Sequence, residues 1–142
     1  MFEQKRYPHL LPQDTPVLTA FLIENGHKYT RVDFDVRVGA GRDPGPDFDD
    51  NIRKDGLDLS RRRIDALCTN NDTVDIVEVT GAAGTTALGQ LLSYRELYII
   101  DHPHSKRPRL IIAARTMQTD MTAAYAASGI VVHLYPGAVE NA

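Results

Sequence analysis

Two strand-patterned runs, 57–68 and 73–80, are separated only by Thr69-Asn70-Asn71-Asp72. A link so short and so rich in turn formers makes the two runs antiparallel neighbours in one sheet. The chain then leaves that hairpin. Over 84–100, Leu88, Leu91, Leu92 and Ile99 fall on one helical stripe, and Leu110–Ala114 is a continuous apolar run of strand length. A second short helix, 119–128, stops at Gly129 and precedes a last strand, 130–134, ended by Pro136. Upstream, Asp14-Thr15 caps a helix with Pro16 at its first position, Val17, Leu18, Phe21 and Leu22 at helical spacing, and Gly26 as its stop. A half-buried strand follows, in which Val32, Phe34, Val36 and Val38 alternate with charged residues. The order α-β-β-β-α-β-α-β predicts a single α/β domain with a mixed sheet flanked by helices.

At 142 residues the chain is one domain's worth, and with 42% hydrophobic residues it can bury a core unaided. The lone cysteine, Cys68, allows no intrachain disulfide and is expected to be a small buried apolar residue in a reducing compartment. No run approaches the ~20 apolar residues of a membrane span. The opening residues, 1–6, lack the apolar core of a signal peptide, so no membrane partner and a cytoplasmic location are expected. A net charge of −3 excludes a polybasic nucleic-acid coat protein but leaves room for a local basic site. Residues 39–56 hold four glycines, two prolines and five aspartates, and are read as a long acidic loop. Asp47, Asp49 and Asp50 within it lack the glycine and terminal glutamate of a calcium loop.

The chemistry-bearing positions stand out against this frame. Glu78 interrupts the apolar run Ile76-Val77-Glu78-Val79, and Asp65 lies between Ile64 and Ala66. Ionised carboxylates in such places are expensive unless paired or bound to a metal. If both face one way on paired strands, they form a pair of hard oxygen ligands suited to magnesium or manganese. The alternative is that each pairs with an arginine, Arg63 for instance. Strict alternation puts Arg61, Arg63 and Asp65 on one strand face, which makes Arg61 and Arg63 candidate phosphate contacts. Gln90 and Tyr94 share a helical face.

An Asp in Arg63-Ile64-Asp65, then Glu78-Val79-Thr80 on the next strand, then Gln90 and Tyr94 on the next helix, resembles the PD-(D/E)XK nuclease-like superfamily, in particular its RecB-like and phage-encoded members. The resemblance runs from about Thr15 to Leu134 and extends to the restriction-endonuclease-like element order. It implies that Asp65, Glu78 and the Val79 carbonyl hold a divalent metal, that Gln90 orients a water or a phosphate, and that Tyr94 supports the site. It also implies a glutamate from the first helix, for which Glu24 is the candidate. The implied activity is metal-dependent hydrolysis of DNA. The family's lysine is replaced by Thr80, which implies weakened catalysis, since losing a base or charge stabiliser lowers a rate ~10²–10⁴-fold. The alternative is a catalytically inactive phage structural or head-completion protein with virion or self-assembly partners.

Other residues are read more plainly. Lys106-Arg107-Pro108-Arg109 is a solvated basic loop. His102 and His104 lack the companions of a zinc site, and His133 is a strand-face residue. Gly81–Thr86 is a close strand-to-helix turn without the lysine of a phosphate loop.

Overall fold

The computed structural model describes Tyr7 and residues 9–140. One five-stranded open sheet forms the centre: β1 (Arg31–Val38), β2 (Arg62–Thr69), β3 (Val74–Ala83), β4 (Arg109–Met117) and β5 (Ile130–Leu134), in that spatial order. The first three strands are antiparallel, and β3, β4 and β5 run parallel. Helix α1 (Thr15–Asn25) covers one face, where Val17, Leu18, Phe21 and Leu22 pack on Ala66, Cys68, Val77, Val79, Ile111 and Ala113. Helix α3 (Thr85–Asp101) crosses from β3 to β4 and covers the other face through Leu91, Tyr94 and Tyr98. There it is joined by α4 (Thr122–Ala127), whose Tyr125 is buried. Three layers thus enclose two apolar clusters, as a sheet with two apolar faces requires. Cys68 is fully buried, as expected. Among the described residues no helix is long and apolar enough to cross a membrane.

The structure corrects three expectations. The predicted loop ends in a helix, α2 (Asp50–Ser60), so β2 begins at Arg62 rather than at Leu57. Asp49 caps α2 by accepting from the Ile52 amide, while Ser60 and Arg42 tie its end to the preceding segment. The element order is therefore α-β-α-β-β-α-β-α-β. Asp14 is not a side-chain cap: it occupies the N-cap position, but its carboxylate is directed to Arg115. Gly26 ends α1 as its C-cap, as expected, although it stays right-handed and opens a 3₁₀ turn, Gly26–Lys28. Finally, the turn expected at Gly81–Thr86 is taken up by β3, which continues to Ala83 and pairs with Thr116 and Met117 of β4, and by α3, which begins at Thr85.

One backbone irregularity decides where polar side chains go. Across β1 and β2 the register is continuous, with Phe34 opposite Ala66 and Val36 opposite Ile64, but the intervening pair, Asp35 and Asp65, is missing from the ladder. Asp35 has φ +53°, a left-handed conformation that aspartate tolerates better than most residues. On either side the faces exchange. Val32 and Phe34 pack against the α1 cluster, whereas Val36 and Val38 belong with α3. Likewise Ala66 faces α1 and Ile64 faces α3. Both strands turn over at this level, so parity counted from one end fails at the other.

Candidate functional site

The β2–β3 ladder runs Thr69–Val74, Cys68–Asp75, Leu67–Ile76 and Ala66–Val77, and there it stops. The next register position would pair Asp65 with Glu78. The two strands part at this level, and the carboxyls occupy the opening. Asp65 Oδ2 accepts the Val79 amide at 2.8 Å, a bond from side chain to backbone that replaces a rung of the ladder. Within a strand residue N–H and C=O point to the same side, so the Val79 carbonyl is turned toward the same opening.

Both carboxyls are buried: Glu78 is 7% exposed and Asp65 9%. Burial, the nearby Asp65 charge and a hydrogen bond shared with Asp65 push the Glu78 carboxyl up to about 9. Asp65 is raised as well, chiefly by burial, with the Val79 amide pulling the other way. The pair therefore holds a proton in common at neutral pH, as two carboxyls in one dry site must. Glu78 Oε2 is buried without a donor among the described residues.

The chain segment before α1 closes over the pair. His9 Nε2 stands 3.6 Å from Asp65 Oδ1 with its side chain 5% exposed, and no hydrogen bond from the described residues satisfies it. Asp14 is close enough to raise both carboxyls further, and its own carboxyl is raised by burial against the pull of Arg115. Arg115 reaches this corner from β4, donating to the Gln13 carbonyl. A Cβ on Gly81 would collide with the Arg115 guanidinium, so a glycine at that position lets the arginine through.

On the α3 side, Gln90 lies within hydrogen-bonding reach of the Tyr94 hydroxyl, and that hydroxyl is raised by burial and by the Glu78 and Asp65 charges. Gln90, Ser93 and Tyr94 line a cleft of about 290 Å³ together with Arg62. Thr80 is half-buried in β3, two residues beyond Glu78 and on the same strand face.

The sequence-predicted set is thus partly assembled. Asp65, Glu78 and Val79 come together, and Tyr94 is near enough to feel both carboxyls; Gln90 stands beside the Tyr94 hydroxyl in a cleft that neither carboxyl lines. Glu24 does not join them: it lies at the far end of α1, bonded to the Tyr135 hydroxyl and 3.6 Å from His133 Nδ1. Arg61 is a fold residue, donating to the carbonyls of Gly39 and Arg37 and pairing with Asp101. Arg63 pairs with Asp35 at 3.5 Å on the edge strand, not with the carboxyl pair. The arginine beside Gln90 and Tyr94 is instead Arg62, placed there by the strand turnover that strict alternation ignores. His9, Asp14 and Arg115 were also missed. Nothing in local periodicity links a pre-helical histidine or a β4 arginine to carboxylates on β2 and β3.

The donor set fits a hard divalent cation. Two carboxylates and a backbone carbonyl are oxygen ligands, and an unpaired Glu78 oxygen is an open acceptor. Among the described residues no group of three His, Cys, Asp or Glu side chains is arranged to hold a metal ion. A metal here would accordingly depend on the Val79 carbonyl and on solvent for its remaining ligands. Comparison with protein-family models, with curated proteins and with solved structures gave no match.

Proposed function

We propose that the chain is a PD-(D/E)XK nuclease-like protein that hydrolyses DNA phosphodiesters with magnesium or manganese. The observation that carries this reading is the opening of the β2–β3 ladder at Asp65 and Glu78, with Asp65 held by the Val79 amide. The antiparallel hairpin and the α3 crossover to parallel β4 supply the frame, and Gln90 and Tyr94 stand on the helix that follows. A bound divalent ion would polarise the phosphate and lower the pKa of a water. Asp65 and Glu78 would hold it once their shared proton is released. Gln90 orients water or phosphate oxygen from the α3 side. Arg62, in the same cleft, gives the phosphate a charged hydrogen-bond donor, a task suited to a guanidinium. Arginine is not a base, and Thr80 offers a hydroxyl only, so turnover is slow.

Plasmid and linear DNA incubated with magnesium or manganese test this. The wild type is expected to nick or degrade DNA, whereas Asp65→Ala and Glu78→Ala are inert. Cutting that survives both substitutions rejects these ligands. No cutting at all moves the reading to a catalytically inactive phage-type assembly or head-completion protein on the same frame, which the neutral Thr80 favours. A stable ring or partner complex in gel filtration then identifies that role.

A further inference from the structure

A second pocket, of about 420 Å³, opens at the N-terminal ends of β4 and β5, and none of its lining residues lines the Arg62–Gln90 cleft. Four permanent cations line it: Lys28, Arg95, Arg107 and Arg109. The acid among its walls is Asp75, which is fully buried. Both Asp75 oxygens are already engaged, Oδ1 by Arg109 Nε at 2.6 Å and Oδ2 by Arg109 Nη2 at 2.8 Å and the Tyr29 hydroxyl at 2.6 Å. The buried carboxylate therefore holds the Arg109 fork in a fixed plane and leaves Nη1 and one Nη2 hydrogen for another acceptor.

The remaining cations are under-compensated. Arg95 Nε and Arg107 Nη2 share one oxygen of the exposed Glu96, each at 3.5 Å. Arg95 Nε is buried with no well-formed hydrogen bond among the described residues. Lys28 donates to the neutral Asn25 amide oxygen. Four positive charges thus meet two carboxylates bonded to them, Asp75 and Glu96, while a third, Glu24, lies 3.6 Å from the lining His133, in a chain whose net charge is −3. A concave site with an unmet buried donor and excess guanidinium charge matches an anion with several oxygens. Its other walls are mixed, with Pro108, Ile111 and Val131 forming an apolar part beside Asn25, Ser128 and His133.

We propose that this pocket binds a phosphate monoester with an organic body of nucleotide size. The cations take the phosphate, and the apolar wall takes the base or its equivalent. A free mononucleotide and the 5′-phosphate end of a nucleic acid present the same chemistry. The proposal does not rest on the nuclease reading.

Isothermal titration calorimetry in the presence of a chelator keeps the carboxyl pair out of the measurement. The probes are inorganic phosphate, deoxyadenosine 5′-monophosphate, and a short oligonucleotide with and without its 5′-phosphate. The mononucleotide is expected to bind more tightly than phosphate. Lys28 and Arg107 are exposed, so Lys28→Ala/Arg107→Ala folds normally, and it is expected to lose about tenfold or more in affinity, as when a charged hydrogen bond is removed. Glu78→Gln is expected to bind as the wild type does, which separates this site from the carboxyl pair. A phosphorylated oligonucleotide that outcompetes the mononucleotide identifies a nucleic-acid end as the source; the reverse order identifies a free nucleotide. Absence of binding at millimolar ligand, equal affinity in the double variant, or equal affinity for the unphosphorylated oligonucleotide overturns the proposal.

Discussion

Three consecutive arginines separate positions that are adjacent in sequence and distinct in use. Arg61 donates to two backbone carbonyls, Arg62 lines the cleft with Gln90, and Arg63 meets Asp35. In electrophoretic mobility shifts, Arg62→Ala is expected to weaken DNA binding about tenfold, the loss of one charged hydrogen bond. Arg63→Ala is expected to leave it unchanged, and a result in which Arg63 alone matters would restore the strict-alternation assignment. Arg61→Ala is expected to lower the melting temperature instead, because the Gly39 and Arg37 carbonyls lose their donor. Asp75 gives a sharper stability test. It is fully buried, and Arg109→Ala would leave its charge unpaired, at a cost of about 3 kcal/mol, read as a shift of the urea midpoint. The carboxylates of the candidate site were legible in the sequence because each breaks an apolar run. Arg62 was not, because a single left-handed residue on the neighbouring strand, Asp35, reverses the faces.

Elements were legible where one periodicity ran unopposed. The apolar runs of β3 and β4 declare themselves and lie within those longer strands, and a helix stands where the α3 stripe predicts one, although its buried face is Ala87, Leu91, Tyr94 and Tyr98 and does not include Ile99. Helix α2 was hidden because its apolar residues, Ile52, Leu57 and Leu59, are few among charged neighbours, and none of its residues is buried. Leu57-Asp58-Leu59 in its last turn even imitates strand alternation. Local bonds hold it: the Asp49 cap, the Arg53–Asp43 ion pair and the Ser60 hydroxyl. A left-handed Gly41 lies where a Cβ would strike the Leu57 carbonyl. Elements held this way open independently of the core. Amide exchange in α2 is therefore expected to be far faster than in α1 or α3. Asp49→Ala is expected to remove about 1 kcal/mol from the helix while leaving the global melting temperature in place. A global loss of that size would show that α2 folds as one unit with the sheet.

Across the whole molecule, the buried carboxyl pair couples pH, metal and stability through one proton. In the folded, metal-free chain the Glu78 carboxyl is raised from 4.5 to about 9, so between those values the folded state keeps a proton that the unfolded chain has released. The folded state then binds more protons, and stability falls as pH rises. Its contribution is complete below about 4.5 and is lost progressively toward 9; Asp65 acts in the same direction. With a chelator present, the wild-type melting temperature is expected to decline from pH 5 to pH 9, and Glu78→Gln to flatten that decline. Metal reverses the balance, because it binds the ionised pair and stabilises by RT ln(1 + [L]/Kd), about 2.7 kcal/mol at a concentration ~100 times Kd. Manganese should thus raise the wild-type midpoint by several degrees and leave Glu78→Gln unmoved. Since binding must expel the shared proton, the shift should also grow between pH 6 and pH 8. A manganese effect independent of pH would place the ion elsewhere on the acidic surface. No effect at millimolar manganese would mean that the pair keeps its proton, and that the opened ladder between β2 and β3 is a structural relic.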